Sequence, residues 1–262
     1  MKIGAVTIGQ SPRVDVTPDI LPIFGEQVEL IQAGALDGLS REEIERMAPK
    51  EDDYVLVSRL NDGSFAKFGE SFILERMQQC IHRLEEQGAF LIMIFCAGSF
   101  PDVFQSKVPL VYPAKILNGL AKALSKNSNI IVITPDEQQI QQAYDQWGPI
   151  VKKVTPIPAN PYGDIEEVYN AARKAKDIEA DLIVMDCIGF TREGLAEDEN
   201  TGLACILSSK NDTQKTMYVG KQHSGQKFFD VLFGYRHMIT IDADGNGTLP
   251  VHGRSVSVWI PV

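Results

Sequence analysis

Two apolar runs of strand length dominate this sequence, and each ends in a cysteine. They are GAFLIMIFCAGSFP at residues 88–101 and ADLIVMDCIGFT at residues 180–191. Continuous apolar runs of this kind indicate strands that are buried on both faces of a parallel sheet. In open α/β sheets, ligands bind just beyond the carboxyl ends of such strands, which is where Cys96 and Cys187 are expected to lie. The sequence therefore predicts two thiols in equivalent positions, facing each other across a cleft.

A simpler explanation of the two cysteines stays open at this point. Free cysteine is among the most buried residue types and often only fills space, so either thiol alone indicates little. The paired placement favours a functional role for both. Cys80 and Cys205 lack the strand-end setting, and we interpret them as packing residues. Asp186 directly precedes Cys187 and would point to the other side of a strand, which predicts a structural role for it.

Charge and composition exclude several classes of partner. The chain has 262 residues and a formal net charge of −10 at pH 7, whereas nucleic acids and anionic membrane surfaces require a basic footprint. No apolar run is long enough to cross a membrane, and the apolar part of the N-terminus is too short for a secretory signal, so we expect a cytoplasmic protein. The cysteines form no CxxC pair and the histidines form no HExxH pair. We therefore expect neither a disulfide framework nor a metal site.

Strands and helices alternate over residues 2–208, and this order predicts a mostly parallel α/β region whose last strand is at residues 205–208. Ser40 and Glu43 form a capping box at the start of one helix. The Asn-Asp-Gly sequence at residues 61–63 is a turn that favours a hairpin.

The first strand runs into a candidate anion site at residues 9–13, GQSPR. A glycine turn exposes backbone N–H groups, and with Ser11 and Arg13 it is able to hold a carboxylate or a phosphate. A plain strand-to-helix turn with a surface arginine has the same pattern, and the sequence does not separate the two interpretations.

The composition changes after about residue 210. Residues 211–262 show extended pieces separated by glycine-rich turns, and DADGNG at residues 242–247 is a strong turn signal between two strands. The same residues resemble a calcium loop, but no glutamate follows at the position that an EF-hand needs. This part of the chain is predicted to be a short all-β tail.

Four motifs spread in order along the chain resemble the AroM family, which is itself similar to the aspartate/glutamate/hydantoin racemase superfamily. They are TIGQSPR at residues 7–13, LNDG at 60–63, FCAG at 95–98 and MDCIGF at 185–190. The resemblance implies two pseudo-symmetric, mostly parallel α/β lobes, approximately residues 1–115 and 116–210, with a substrate cleft between them. It also implies 1,1-proton transfer without a cofactor, using one cysteine from each lobe.

A second resemblance covers only the tail. YVGKQH at residues 218–223, FD at 229–230, DGNG at 244–247 and VHGRSVSVW at 251–259 look like the end of the C-terminal β-domain of bacterial α-amylases. The amylase catalytic barrel is absent from the sequence, so glycosidase activity does not carry over. We place the junction between the two resemblances near residues 209–216. Candidates for stacking on a sugar are Trp259, Phe228, Phe229 and Tyr235, although core packing explains them more simply.

The racemase resemblance implies a mechanism that elementary chemistry can support. Removing a proton next to a carboxylate requires a base on one face of the carbon and an acid on the other, each with a pKa near the working pH. A thiol near helix N-terminal N–H groups can have its pKa lowered into that range. We predict Cys96 and Cys187 as this pair, acting on a small carboxylate such as an amino acid or a hydantoin. The predicted substrate-binding residues are Ser11, Arg13, Gly98, Ser99 and Thr191.

Two alternatives remain from the sequence. Ala97, Gly98 and Ser99 follow the first cysteine where better-known racemases have Asn-Thr, and an enzyme relying on Cys187 alone could be a lyase or an isomerase that forms a covalent adduct. The chain could also be a non-catalytic protein that binds a small anionic metabolite on the same scaffold. A homodimer is one candidate assembly.

Overall fold

Parallel strands form the centre of the first part of the molecule. The computed structural model describes residues 1–25, 27–124, 128–190, 204–208, 212–230, 234–252 and 255–261. The chain divides into two compact units, Met1–Gly194 and Leu195–Val262. The sheets of the first unit contain parallel pairs flanked by helices, and the described strand pairs of the second are antiparallel. The predicted fold class, an α/β region followed by β-strands, is confirmed.

The first lobe (residues 1–111) is built on a parallel four-stranded sheet. Its strands are β1 (Lys2–Thr7), β2 (Glu29–Gly34), β5 (Leu91–Phe95) and β6 (Leu110–Val111), in the order β2-β1-β5-β6. An antiparallel hairpin, β3 (Val55–Arg59) and β4 (Phe65–Gly69), comes between β2 and β5 in the sequence. The helices are α1 (Thr17–Phe24), α2 (Arg41–Glu45) and α3 (Leu74–Glu86).

Local signals of the sequence account for several of these elements. The hairpin turns where Asn-Asp-Gly predicted it, with Gly63 at a φ of +87°, a conformation that favours glycine. The capping box of α2 is formed by Ser40 and Glu43 as predicted. Cys80 is 1% exposed on the inner face of α3, which confirms it as a packing residue. None of the helices that the structure describes is long and apolar enough to cross a membrane.

The second lobe (residues 113–190) repeats the arrangement with three parallel strands. They are β7 (Asn129–Thr134), β8 (Lys153–Pro158) and β9 (Leu182–Met185), in the order β8-β7-β9. The helices are α4 (Pro113–Leu124), α5 (Ile140–Trp147) and α6 (Ile165–Lys176). Alternate residues of β7 belong to different core clusters, with Ile130 and Val132 packed with Trp147 and Ile131 and Ile133 packed with α6. The sheet is therefore covered on both faces, as its continuous apolar sequence predicts.

The two lobes share a topology that places both cysteines equivalently. In each lobe the first strand, β1 or β7, is central, the next parallel strand lies on one side of it, and the cysteine-bearing strand lies on the other. The order in which the chain adds strands to the sheet therefore reverses at two places, one between the neighbouring strands β1 and β5 and the other between the neighbouring strands β7 and β9. Crevices at the carboxyl ends of strands at such switch points are where open α/β sheets bind ligands.

The second unit has a small core of its own. Its described strands are β10 (Ala204–Ser208), β11 (Thr213–Tyr218), β12 (Lys227–Asp230), β13 (Gly234–Thr240), β14 (Asn246–Val251) and β15 (Ser255–Pro261). Phe228 and Trp259 are 1% and 0% exposed in this core, which confirms packing and leaves neither ring free to stack on a sugar. The sequence analysis placed β10 last in the α/β region, whereas in the structure it pairs antiparallel with β15.

Candidate functional site

Cys96 and Cys187 line one cavity between the two lobes. Cys96 directly follows β5 and is 9% exposed, and Cys187 follows β9 after one intervening residue and is partly buried. The cavity has a volume of about 30 Å³, which is room for about two water molecules. Two thiols from different lobes therefore border a single small space.

Each thiol is held by the same local hydrogen bond. The backbone N–H of Gly98 donates to Sγ of Cys96 over 3.3 Å, and the backbone N–H of Gly189 donates to Sγ of Cys187 over 3.4 Å. Both bonds come from the glycine two residues after the cysteine. The pattern Cys-x-Gly, which the sequence displays in both motifs, is thus the local structure that orients each sulfur.

Burial raises the pKa of both thiols, which corrects the expectation that their surroundings would lower it. The pKa of Cys96 is raised to about 12, because burial penalises the thiolate more than the N–H of Gly98 and the charge of Arg13 stabilise it. Burial also raises the pKa of Cys187. Among the described residues, neither cysteine is followed directly by a helix, so the helix N-terminal N–H groups that the sequence suggested are absent there.

Cys187 differs from Cys96 in having a chain of hydrogen bonds behind it. Nη2 of Arg13 lies 3.2 Å from the hydroxyl oxygen of Tyr162, which in turn lies 3.4 Å from Sγ of Cys187. Arginine can only donate, so the tyrosine oxygen accepts from Arg13 and its proton is free to point at the sulfur. Tyr162, Gly189 and Arg13 all oppose the effect of burial on the Cys187 pKa. Cys187 is therefore better placed than Cys96 to carry a negative charge.

The guanidinium of Arg13 is already neutralised inside the protein. It is 2% exposed and forms two hydrogen bonds with the carboxylate of Asp15, at 2.9 Å from Nε and 2.7 Å from Nη2. Burial alone would lower the pKa of Arg13, but the hydrogen bonds and charge of Asp15 raise it above its ordinary value. Arg13 borders a second cavity of about 270 Å³, together with Asp15 and Arg59, rather than the thiol cavity. Its described hydrogen-bond route to Cys187 runs through Tyr162.

The remaining predicted binding residues are dispersed. Gly98 lines the thiol cavity, whereas Ser99 is exposed and its backbone N–H donates to the hydroxyl of Tyr54 over 3.3 Å. Ser11 lies outside the lining, and both its hydroxyl and its N–H donate to Asp37, over 2.6 and 2.7 Å. Thr191 lies outside the described residues.

Asp186 lies in the cavity, contrary to the expectation that it would point away from Cys187. The strand ends at Met185, so strict alternation no longer applies, and both Asp186 and Cys187 contribute to the lining. Nε1 of Trp147 donates to Oδ2 of Asp186 over 3.3 Å. Burial raises the pKa of this carboxyl to about 6. A third ionisable group therefore borders the space between the thiols.

Sequence reasoning also missed Tyr162 and the glutamines of the cavity wall. Gln139 and Gln142 line the cavity and bind the backbone of Val55 in the other lobe: Oε1 of Gln142 accepts from its N–H over 2.7 Å, and both amide groups donate to its carbonyl. The available signal was their position, since Gln139 and Gln142 lie in the turn and the first part of α5 that follow the carboxyl end of β7, where ligands bind. Tyr162 follows β8 in the same way.

The described residues contain no group of three or more His, Cys, Asp or Glu side chains arranged to hold a metal ion. The titratable groups of the thiol cavity are Tyr54, Cys96, Asp186 and Cys187. Burial raises the pKa of Tyr54 to about 12, so its phenol stays protonated at neutral pH.

Comparison with known proteins assigns the larger part of the chain. A family model described as "AroM protein" matches residues 3–211, a span that contains both cysteines and all four motifs. The chain belongs to the AroM family. The AroM region thus extends over both lobes and through β10. A solved structure, the aspartate racemase of Picrophilus torridus, is 11% identical with a TM-score of 0.47, and the alignment covers 75% of this chain and 85% of that one.

A shorter stretch of this AroM-family chain is similar to α-amylases. It is 46% identical over 76 residues to the α-amylase of Geobacillus stearothermophilus and 42% identical over 73 residues to the glucan 1,4-alpha-maltohexaosidase of Bacillus sp. strain 707. These matches cover 29% and 28% of this chain but only 14% of each relative. The α-amylase resemblance is confirmed, and its placement in the tail stays a prediction.

Proposed function

We propose that the AroM region is a cofactor-independent racemase or isomerase that moves a proton at the carbon beside a carboxyl or carbonyl group of a small amino acid or hydantoin. One observation supports this most directly: Cys96 and Cys187, from different lobes, line the same cavity. Inversion at carbon needs an acid and a base on opposite faces. Two thiols approaching from two lobes meet that requirement.

The two thiols have different roles in the first half-reaction. Cys187, with Tyr162 and Gly189 donating towards its sulfur, is the base in its thiolate form. It takes the proton from the α-carbon, and the electron pair of the broken C–H bond moves into the adjacent carbonyl group. Cys96, whose pKa is raised to about 12 by burial, is protonated and gives its proton to the opposite face. The enzyme then carries Cys187 as a thiol and Cys96 as a thiolate, ready for the reverse direction.

A substrate requires more room than the cavity has in this conformation. An amino acid does not fit in about 30 Å³, so the lobes must separate for entry. The described polar contacts across them include the glutamine bonds to Val55, the ion pair of Lys67 with Asp136 at 3.1 Å, and the bond from Arg13 to Tyr162. Ile188 of the second lobe adds an apolar contact with the core cluster around Phe95. Polar contacts exchange readily with water, which favours a hinge motion.

Deuterium exchange tests the proposal. The protein is incubated in D₂O with separate enantiomers of a panel of amino acids and hydantoins, and Cα deuteration and inversion are followed by NMR and chiral chromatography. We expect inversion with solvent deuterium. Cys96→Ala should abolish inversion while leaving exchange of the enantiomer whose proton faces Cys187. Loss of a positioned acid or base should lower the inversion rate by about 10²–10⁴-fold.

Cys80→Ala is the matched control for thiol removal. Cys80 is a buried thiol that lies on α3 among core residues outside the cavity, so its loss should leave inversion unchanged. Inversion that survives in a Cys96→Ala, Cys187→Ala double variant would overturn the thiol mechanism.

The second candidate is a protein that binds a small metabolite without turnover. The raised pKa of both thiols favours it, because protonated thiols are poor bases. This alternative predicts no exchange with any member of the panel and ligand affinity that is retained when both cysteines are replaced. The predicted charge contact between Arg13 and the substrate belongs to either function.

A further inference from the structure

Two buried hydrogen-bond acceptors on residues that line the thiol cavity have no partner among the described residues. They are Oδ1 of Asp186 and Oε1 of Gln139, and both residues line the cavity. The third buried side-chain atom without a partner among the described residues is Oε1 of Glu70, which belongs to a residue outside this lining. Native structures rarely leave buried acceptors unsatisfied, so two in one cavity indicate a missing donor.

The orientation of both acceptors is set by the other end of each side chain. Oδ2 of Asp186 accepts from the indole N–H of Trp147 over 3.3 Å. Nε2 of Gln139 donates to the carbonyl oxygen of Val55 over 2.9 Å, and rotating the amide would instead set two oxygens against each other. The unpartnered atoms are therefore oxygens by chemistry and not by arbitrary assignment.

The charge of the cavity also favours a ligand group that donates hydrogen bonds. Among the described residues, its lining contains no lysine, arginine or histidine, and Asp186 is the one acidic residue. A carboxylate placed beside Asp186 would be repelled, whereas an ammonium group or a polarised N–H can donate to an unpartnered oxygen. An ammonium group would also neutralise the buried carboxylate.

We propose that Asp186 and Gln139 form an acceptor site for an N–H group of the substrate, and that this site restricts the ligands of the thiol cavity to compounds that carry an N–H donor beside the reacting carbon. An α-ammonium group and the ring N–H of a hydantoin share this chemistry. The placement of the donor beside the reacting carbon rests on the proposed function, whereas the preference for N–H donors does not require turnover.

Matched ligand pairs that differ only in the donor test the site. Binding of alanine and propionate, aspartate and succinate, and hydantoin and its N-methylated forms is measured by calorimetry and NMR titration on the full chain carrying Cys96→Ala and Cys187→Ala. We expect the N–H member of at least one pair to bind about 10–100-fold more tightly. The amino-acid and hydantoin pairs distinguish the ammonium from the ring N–H.

Substitutions assign the preference to the two residues. Gln139→Leu and Asp186→Leu should each remove most of the preference, whereas Gln138→Leu, at the exposed neighbouring position, should leave it unchanged. Folding of each variant is checked by circular dichroism, and Gln139→Glu, which keeps an acceptor, should retain the preference if Gln139→Leu proves unstable.

The outcomes separate this inference from the proposed function. A preference for N–H donors without any deuterium exchange overturns the racemase proposal and supports the acceptor site. Equal affinity within every pair, including no binding of either member, overturns the acceptor site. A preference that survives both leucine substitutions also overturns it.

Discussion

At the residue scale, the two thiols are alike in backbone setting and unlike in charge environment. Each receives an N–H from a glycine two positions later. Cys187 also has the hydroxyl of Tyr162 within hydrogen-bonding distance of its sulfur, at 3.4 Å, and that hydroxyl accepts from a buried arginine. The same burial therefore acts on two sulfurs with different means of stabilising a thiolate. This asymmetry is why we assign the base role to Cys187.

Asp186 allows a prediction about stability and pH. Its pKa rises from 3.8 in the unfolded chain to about 6 in the folded protein because burial penalises the charge. The folded state therefore holds the extra proton between these values, and stability falls as the pH rises through that window. Asp186→Asn removes this penalty. We expect its free energy of unfolding at pH 7.5 to exceed that of the parent protein by about 1–3 kcal/mol.

The measurement is urea unfolding of both proteins from pH 4 to pH 7.5. The difference between them should be close to zero at the acid end and grow towards neutral pH. Glu70, whose pKa burial raises to about 7, titrates in both proteins and so cancels in the difference. A variant that is no more stable than its parent at pH 7.5 would contradict the buried charge at Asp186.

At the scale of elements, the two Cys-x-Gly turns look equivalent in sequence but are packed differently. A Cβ at Gly189 would clash with the ring of Tyr162, whereas a Cβ at Gly98 would meet Sγ of Cys96 at 3.3 Å and Leu56 at 3.4 Å. We expect Gly189→Ala to lower the free energy of unfolding by about 1–3 kcal/mol. It should also slow alkylation of Cys187. Tyr162 must move away from the sulfur, and loss of its hydrogen bond raises the pKa of the thiol and leaves less of the reactive thiolate.

Gly98→Ala is the matched control for this turn. Its neighbours need to move only slightly, so we expect a smaller loss of stability and unchanged alkylation of Cys187. Urea midpoints and site-resolved mass spectrometry after alkylation give both quantities. Equal effects of the two substitutions would show that the position of Tyr162 does not require a glycine at residue 189.

Tryptophan placement allows a prediction at the scale of the whole molecule. The chain has two tryptophans, Trp147 in the core of the second lobe and Trp259 in the core of the Leu195–Val262 unit, both fully buried. Units with separate cores commonly unfold separately. Trp147→Phe and Trp259→Phe variants therefore each report on one unit. We expect urea unfolding followed by fluorescence to give different midpoints for the two variants.

Circular dichroism of the parent protein is the control, since it should show both transitions. Coincident fluorescence midpoints in the two variants, with a single dichroism transition, would mean that the two units unfold as one cooperative body.

Local chemistry explains which elements were predictable. The Asn-Asp-Gly hairpin and the Ser40 capping box depend on contacts between residues close in the chain, and each formed as predicted. The pairing of β10 was not predictable from local pattern, because five apolar and small residues fit either a parallel or an antiparallel neighbour. Only the tertiary structure pairs β10 with β15.

The sequence by itself determined the α/β class, the family and the strand-end position of both cysteines, because apolar periodicity and short motifs are written along the chain. The tertiary structure decided what surrounds those cysteines. Asp186 enters the cavity because its strand ends one residue earlier, Arg13 is neutralised by Asp15, and Tyr162 and Gln139 arrive from distant parts of the chain. Burial and charge at a site depend on residues that are distant in the sequence. Because burial and charge determine the pKa values, the spacing of residues in the sequence does not predict them.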